Sequence, residues 1–280
     1  MSANVGIGVS VATGSSIAQN NDVDVRQAYL SFGNDGMGTV KLGRDYGLFG
    51  FHSIISDMTL IGVGAATNAT QNGRVSLGHI GSGYTFPGMY GQAVYTTPNM
   101  GGFSVDLGLM SPTNNLSTAK KDNLQFQARA TYAGQGFKAW VGAKTQKYDG
   151  VGGFTMNAGE VGGSVNAGAF GLLANYQGGK GIGILADGDQ GGVKGNNLLL
   201  QGTMQAAQNV KLGLGYGRSK NDSAFTGSDL RSNENLTAGV YYNLTKSVTL
   251  VGEIGQTRSK GFSGASAKQN SVAIGGILFF

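Results

Sequence analysis

Cysteine is absent from the 280 residues, which excludes disulfides and thiolate metal sites and lets the chain cross an oxidising compartment without misbridging. Charge is scarce as well. Asp, Glu, Lys and Arg together make up 12% of the chain, about half the share usual in a soluble domain. Proline occurs 3 times and histidine twice. General acid–base catalysis most often uses histidine, and both copies, His52 and His79, lie in one long segment. Ser53 and His52 are adjacent on that segment, where neighbouring residues rarely face each other, so the chain is read as no enzyme. No stretch approaches the ~20 apolar residues of a membrane-spanning helix; Val272–Phe280 is interrupted by glycine. What is abundant is glycine, at 51 residues, with 40% hydrophobic residues scattered without long runs. So little charge points to a surface that faces lipid, and besides a helix only a closed barrel satisfies its backbone there.

Taking every second residue gives one pattern repeatedly: Val5, Ile7, Val9 and Val11; Phe103, Val105, Leu107 and Leu109; Val210, Leu212, Leu214 and Tyr216; Leu236, Ala238, Val240 and Tyr242. Period two means strands with one apolar face. The intervening residues, such as Gln125, Gln127 and Arg129 or Lys211, Gly213 and Gly215, make a polar face with little Lys and Glu, as on a water-filled barrel wall. The expectation is an all-β, transmembrane, antiparallel up-and-down barrel of about 14 strands in a single domain over residues 1–280.

Connectors alternate in length. Tight links fall at Asn34–Asp35, Pro98–Gly101, Ala133–Gln135, Ala206–Gln208 and Asn243–Lys246. Long ones fall at Thr13–Asn21, Gly47–Gly88, Met110–Asp122, Tyr148–Asn157, Asp187–Gly195, Lys220–Ser232 and Ser259–Lys268. Short periplasmic turns and long outer loops are the two ends of such a barrel. Aromatics near strand ends, among them Tyr29, Tyr95, Tyr132, Phe137 and Tyr241, suit the membrane interface. The start, Met-Ser-Ala-Asn-Val-Gly, lacks the basic and apolar regions of a signal peptide, so an exported chain of this kind reads as a mature or shortened form.

The segment Val25-Arg26-Gln27-Ala28-Tyr29-Leu30-Ser31-Phe32, followed by Gly38-Thr39-Val40-Lys41-Leu42-Gly43-Arg44-Asp45-Tyr46-Gly47, resembles a hairpin of the general, non-specific porins of Gram-negative outer membranes. In that family the hairpin leads into a constriction loop folded into the lumen. The long loop here, 47–88, carries Ser56-Asp57-Met58-Thr59, which resembles the loop's acidic stretch, and Pro98-Asn99-Met100-Gly101-Gly102-Phe103 resembles the next turn and strand. The terminal Phe280 resembles the family's assembly signal. The resemblance implies a cell outer-membrane location, homotrimers, contact with outer-membrane lipid and lipopolysaccharide, and passive diffusion of small hydrophilic solutes and ions. It implies no cofactor, metal or nucleic acid. The family usually has about 16 strands, and one strand rather than about three precedes the hairpin, so counterparts of the family's first two strands are lacking. Either they are absent from this chain or the barrel is a smaller one with a narrower pore. A further acid expected after Asp57 falls near Ile61, which depletes the acidic side of the eyelet.

Oppositely charged walls at the narrowest point sort ions in such a channel. Asp57 is the acidic candidate. Arg26, matched to a family lumen arginine, and Arg129, Lys41, Lys138 and Lys211 are the basic ones. Arg44 lies on the opposite phase from Lys41 and Asp45 and is read as a contact to a neighbouring subunit or loop. A formal charge of +5 predicts mild anion preference, with Lys120, Lys121 and Lys260 as alternative binders of lipopolysaccharide phosphate. Trp140 and Tyr241 on the polar face leave room for a substrate-selective channel with an aromatic slide. A soluble solenoid or adhesin would need a fixed repeat, which is absent. Asp187-Gly188-Asp189-Gln190-Gly191 starts like a calcium loop, but position 12 is Leu198 rather than Glu, so it is read as a solvated turn. Gly213-Leu214-Gly215 and Gly181-Ile182-Gly183 are read as glycines that let the wall curve.

Overall fold

A computed structural model of the chain describes residues 2–10, 24–64, 77–113 and 122–280. They form an up-and-down β-barrel of 14 antiparallel strands in which each strand pairs with its sequence neighbours. The strands are β1 (Ser2–Ser10), β2 (Asp24–Asn34), β3 (Gly38–Tyr46), β4 (Met89–Thr96), β5 (Phe103–Met110), β6 (Gln125–Gly134) and β7 (Phe137–Tyr148). They continue as β8 (Phe154–Ala167), β9 (Phe170–Lys180), β10 (Lys194–Ala207), β11 (Val210–Asn221), β12 (Leu230–Asn243), β13 (Val248–Gly261) and β14 (Ser266–Leu278). Among the described residues no ladder joins β1 to β14. No helix among them is long and apolar enough to cross a membrane.

The alternation read from the sequence sorts the two faces. Leu107, Leu109, Val141, Leu172, Leu214, Leu236 and Ile254 point outward and are exposed, while Gln127, Asn175, Gln177, Ser219 and Thr237 point inward and are buried. Exposed apolar outside and polar inside is the reverse of a soluble core and fits a wall between lipid and lumen. At the short-turn end the outward aromatics Tyr95, Phe103, Tyr132, Phe137 and Phe170 are half-exposed, and the Tyr132 and Phe137 rings lie 5.3 Å apart. That edge suits the interface. Tyr29 and Tyr241 have the same composition signal but the opposite phase, and point into the lumen.

Local chemistry sets the short turns. The Asn34 side chain accepts the amides of Gly36 and Met37, both at 2.9 Å, and Gly38 takes φ +80° as β3 begins. The long-loop side differs from the sequence reading. β13 continues to Gly261 and β14 starts at Ser266, where a link from Ser259 to Lys268 was expected. Likewise β8 starts at Phe154, β11 and β12 enclose only residues 222–229, and the β9–β10 connector is 181–193. Charged residues on these strand tops read as loop by composition, yet the ladder continues through them because strands can extend beyond the hydrocarbon. The loop expected at Thr13–Asn21 and the lysines Lys120 and Lys121 lie outside the described residues.

Candidate functional site

The β3–β4 connector leaves and re-enters the wall at one point, where the Gly47 amide donates to the Gly88 carbonyl at 3.1 Å. From there it turns inward. A short helix, α1 (Phe51–Ser56), follows Gly50, whose φ of +80° allows the sharp entry. A buried loop backbone needs hydrogen-bond partners, and the polar inner wall supplies them strand after strand. Gln127 Oε1 on β6 accepts the amides of Leu48 and Phe49 at 2.7 and 2.9 Å. Glu160 on β8 accepts Gly50 at 2.9 Å, and Gln177 on β9 accepts Thr85 at 3.0 Å. Gln201 on β10 accepts Met58 and donates to the Ser56 carbonyl. Ser219 on β11 accepts Gly83, Asn233 on β12 donates to the Gly81 carbonyl, and Glu253 on β13 accepts Val63.

Two further features seat the loop. Ile54, Ile80 and Tyr84 pack on an apolar patch of the inner wall made by Trp140, Leu173 and Leu199. Beside it, β11 presents Gly213, Gly215 and Gly217 inward. A Cβ at Gly213 would lie 2.1 Å from the Met58 sulfur, one at Gly215 3.0 Å from the His79 ring, and one at Gly217 1.9 Å from the Ser82 carbonyl. Gly213 and Gly215, expected only to let the wall curve, form with Gly217 a bare trough that lets the loop touch the wall backbone.

Asp57 is the hub of the loop rather than a wall of open water. It is 3% exposed and accepts the His79 amide at 2.7 Å, the Tyr84 hydroxyl at 2.8 Å, and both the amide and hydroxyl of Thr59 at 2.9 and 2.7 Å. The His79 ring Nδ1 stands 3.2 Å away. Burial alone would push the Asp57 carboxyl up, but the neighbouring His79, with Thr59 adding a bond, outweighs it and holds the group below the ordinary carboxylate range. Burial, then Asp57 itself, pushes the Tyr84 hydroxyl well up. His52 is lowered to about 3 by burial and then by Arg129 and Lys138; its Nε2 is 3.1 Å from Thr131 Oγ1 and its ring lies 5.3 Å from Trp140. Ile61, where a second acid was sought, is 59% exposed.

A second connector also folds inward. Within the 181–193 connector, Asp187-Gly188-Asp189-Gln190-Gly191 was expected to be a solvated turn, yet Asp187 is buried, ion-paired to Lys144, and reached by the Tyr90 hydroxyl at 3.2 Å. Asp189 accepts the amides of Ile184, Leu185 and Ala186. The segment clasps the first loop through Phe86 N to Leu185 O at 2.9 Å and Thr85 Oγ1 to Ile182 O at 3.0 Å. The aspartates are thus occupied by a lysine and by amides, and the described residues hold no acidic or histidine cluster that could take a metal.

The cation candidates divide. Arg129 makes a two-pronged pair with Asp106, at 3.0 and 2.7 Å, and reaches the Leu48 carbonyl, so it anchors the loop's first turn. Lys41 pairs with Asp45 on its own strand and lies over the Tyr29 ring. Lys138 is half-exposed and Lys211 exposed on the inner face, with no carboxylate in ion-pair range among the described residues. Arg26 is half-buried where the β1–β2 register slips. Arg44 sits on the outward phase, as expected, and its Nε donates to the Val25 carbonyl at 2.9 Å. Phe280 is fully exposed beyond β14. Trp140 and Tyr241, the proposed slide, are covered: the indole donates to Asn175 at 3.1 Å and the phenol to Glu253 at 2.8 Å. Lys144, Glu160 and Glu253 were missed as functional positions, although inward phase alone would have marked them as charges within the barrel.

The sequence matches the profile of the Gram-negative porins over residues 1–261. No curated protein matches it. Among solved structures it is similar to the outer-membrane channel DcaP of Acinetobacter baumannii, at 16% identity and a TM-score of 0.74, covering 99% of this chain and 80% of that one. It is also similar to an anion-selective porin from Comamonas acidovorans (19%, 0.62, covering 92% and 77%). A third similar structure is the trimer form of in-vitro folded OmpT, an outer-membrane protein of Vibrio cholerae (16%, 0.58, covering 92% and 80%). A 14-stranded barrel with an apolar exterior, a polar interior and a loop laid along its inner wall is the setting for that profile match, and the chain belongs to the Gram-negative porins, channels of the outer membrane.

Proposed function

We propose that the chain is a water-filled pore for passive diffusion of small hydrophilic solutes and ions, with a mild preference for anions. The observation that carries the ion preference is how the interior carboxylates are used. Asp57, Glu160, Glu253 and Asp187 are buried and turned toward amides, hydroxyls or a lysine, whereas Lys138 and Lys211 face the lumen without an acidic partner among the described residues. Unpaired charge at a channel wall sets the ion preference, and here that charge is positive. The anion-selective neighbour and the formal charge of +5 agree in sign. Lysine is a compact point charge suited to any small anion rather than to one substrate, and the buried Trp140 and Tyr241 offer no stacking surface, which favours general over substrate-selective diffusion. The trimer form of one neighbour supports assembly as a homotrimer, with Arg44 on the outward face toward a neighbouring subunit.

The test is a planar bilayer under a KCl gradient. Discrete steps with a reversal potential displaced toward chloride are expected, and Lys211→Glu should move it back toward zero. Steps with unchanged selectivity in that variant would remove Lys211 from the assignment, and folded protein giving no steps would overturn the diffusion reading.

A further inference from the structure

Most inward residues of this barrel are polar or covered by the connectors, but one stretch is apolar and open. Ile55 and Ile61, on the β3–β4 connector, are 50% and 59% exposed. They border a cavity of about 550 Å³ on the short-turn side of that connector. Its other side is the wall of β11–β14, where inward residues stand in two rows. The upper row is Lys211, Tyr241 and Val251, each the cross-strand partner of the next. The lower row, nearer the short turns, is Asn243, Thr249 and Ile277. Both rows pass from polar on β11–β12 to apolar on β13–β14, and Ile277 packs against the cluster of Met58, Tyr241 and Val251. The cavity therefore has a cationic end and an apolar end. Lys211 is exposed at the first, with no carboxylate in ion-pair range among the described residues. Asn243 lies diagonal to it. The Asn243 Oδ1 accepts the Thr249 hydroxyl at 2.8 Å, which leaves its amide nitrogen to donate. The acids closest to the cavity are engaged elsewhere: Asp57 accepts His79, Tyr84 and Thr59, and Glu253 accepts Tyr241 and Val63.

We propose that this cavity binds amphiphilic monoanions, namely medium-chain aliphatic carboxylates, with the head on Lys211 and Asn243 and the tail along Ile55, Ile61 and Ile277. The inference deepens the anion-preferring reading and rests on it, since it needs Lys211 open to the lumen. A bare lysine serves any small anion, but it gives no reason for isoleucines standing in water beside it. A tail covering them releases that water. The volume lies within the roughly 300–1,000 Å³ of small-molecule sites, which are mostly apolar with a few placed polar groups. Three interstrand spacings of about 4.8 Å separate β11 from β14, and the Lys211 side chain shortens that span to the length of an acyl chain of about six to eight carbons. A dicarboxylate of equal length fits worse, because its second charge must leave water for the apolar end. Ile61 stands where an acid was sought, so the same position that depletes the eyelet of negative charge supplies part of the apolar surface.

The full chain, refolded in detergent, is placed in a planar bilayer in KCl, and butanoate, hexanoate, octanoate, hexanedioate and neutral hexanamide are added in turn. The concentration that halves the current should fall at least tenfold from butanoate to octanoate, the ceiling being about fourfold for each CH₂ fully buried. Hexanedioate and hexanamide should each block at least tenfold more weakly than hexanoate, a comparison that needs no variant. In Ile55→Asn/Ile61→Asn the dependence on chain length should vanish while the reversal potential stays displaced toward chloride; in Lys211→Gln block by every acid should weaken. Saturation-transfer NMR of hexanoate on the same refolded protein reads binding without a pore recording, so failure to bind and failure to conduct are separable. Equal block by butanoate and octanoate, block by hexanedioate or hexanamide as strong as by hexanoate, a chain-length dependence that survives in the double variant, or no saturation transfer to hexanoate would each overturn the proposal. Discrete chloride-preferring steps with none of these blocks would remove the cavity and leave the pore.

Discussion

Two sectors of the same inner wall have the same composition and opposite fates. Beneath the loops, Asn175, Gln177, Asn197, Ser219, Asn235 and Thr237 are all less than 2% exposed, and Gln177 and Ser219 serve as partners for loop backbone. On β2 and β14 the equivalent inward residues, Tyr29, Ser31, Gln269 and Ser271, are half-exposed or exposed. Polar side chains of one kind thus act as adhesive in one sector and as hydrated wall in the other. In the covered sector, substitution should cost stability and pore shape; in the open one it should cost selectivity alone.

The sharpest way to break that contrast is Gly217→Val. Its first side-chain atom would meet the Ser82 carbonyl, so the loop must lift off; overpacking of this kind costs about 1–3 kcal/mol or more. A larger step conductance and protease access to residues 77–86 are expected. Lys144→Met comes close behind, since it leaves Asp187 buried without its cation, a loss of about 3–5 kcal/mol. Lower denaturant resistance should follow, with recovery in Lys144→Met/Asp187→Leu; no recovery would show that the pair does not act as a unit.

Acid should loosen the covered sector more gently. Free imidazole takes up a proton near 6.5, but buried His52 resists until about 3, so the released loop gains protons first and docking weakens as pH falls through that window. Asp57, depressed from 3.8, is stabilising above that value and adds a second loss only below it. Conductance and proteolysis followed from pH 7 to 3 should report loop release, with the upper part of the change removed in His52→Asn. The smallest structural effect belongs to Lys211→Glu, an exposed position where stability should change by less than about 0.5 kcal/mol while the reversal potential moves.

Much of the barrel was legible in the chain because period-two alternation is local. Leu214 and Tyr216 outward with Gly213, Gly215 and Gly217 inward need only the geometry of one strand. The site was less legible. Asp57 and Lys211 carry the same kind of sequence signal, a charge at a suggestive position, yet one is sealed against His79 and the other faces the lumen. Nothing within a few residues of either distinguishes them, because the burial of Asp57 depends on β11 lying bare beneath the loop. Asp187 gives the same lesson: its Asp-Gly-Asp-Gln-Gly context reads as a wet turn, and only Lys144, some forty residues earlier in the chain, makes it a buried latch.

The sequence by itself determined the class, the strand rhythm and which side chains face lipid, since scarce charge, the lack of a long apolar run and alternation leave a membrane barrel as the structure that satisfies its backbone. Tertiary structure alone decided which interior charges stay exposed to the lumen and which are sealed. That choice is made where two long connectors fold back on the wall and their buried amides, hydroxyls and carboxylates must be matched by amides, carboxylates and one lysine from strands far away in the chain.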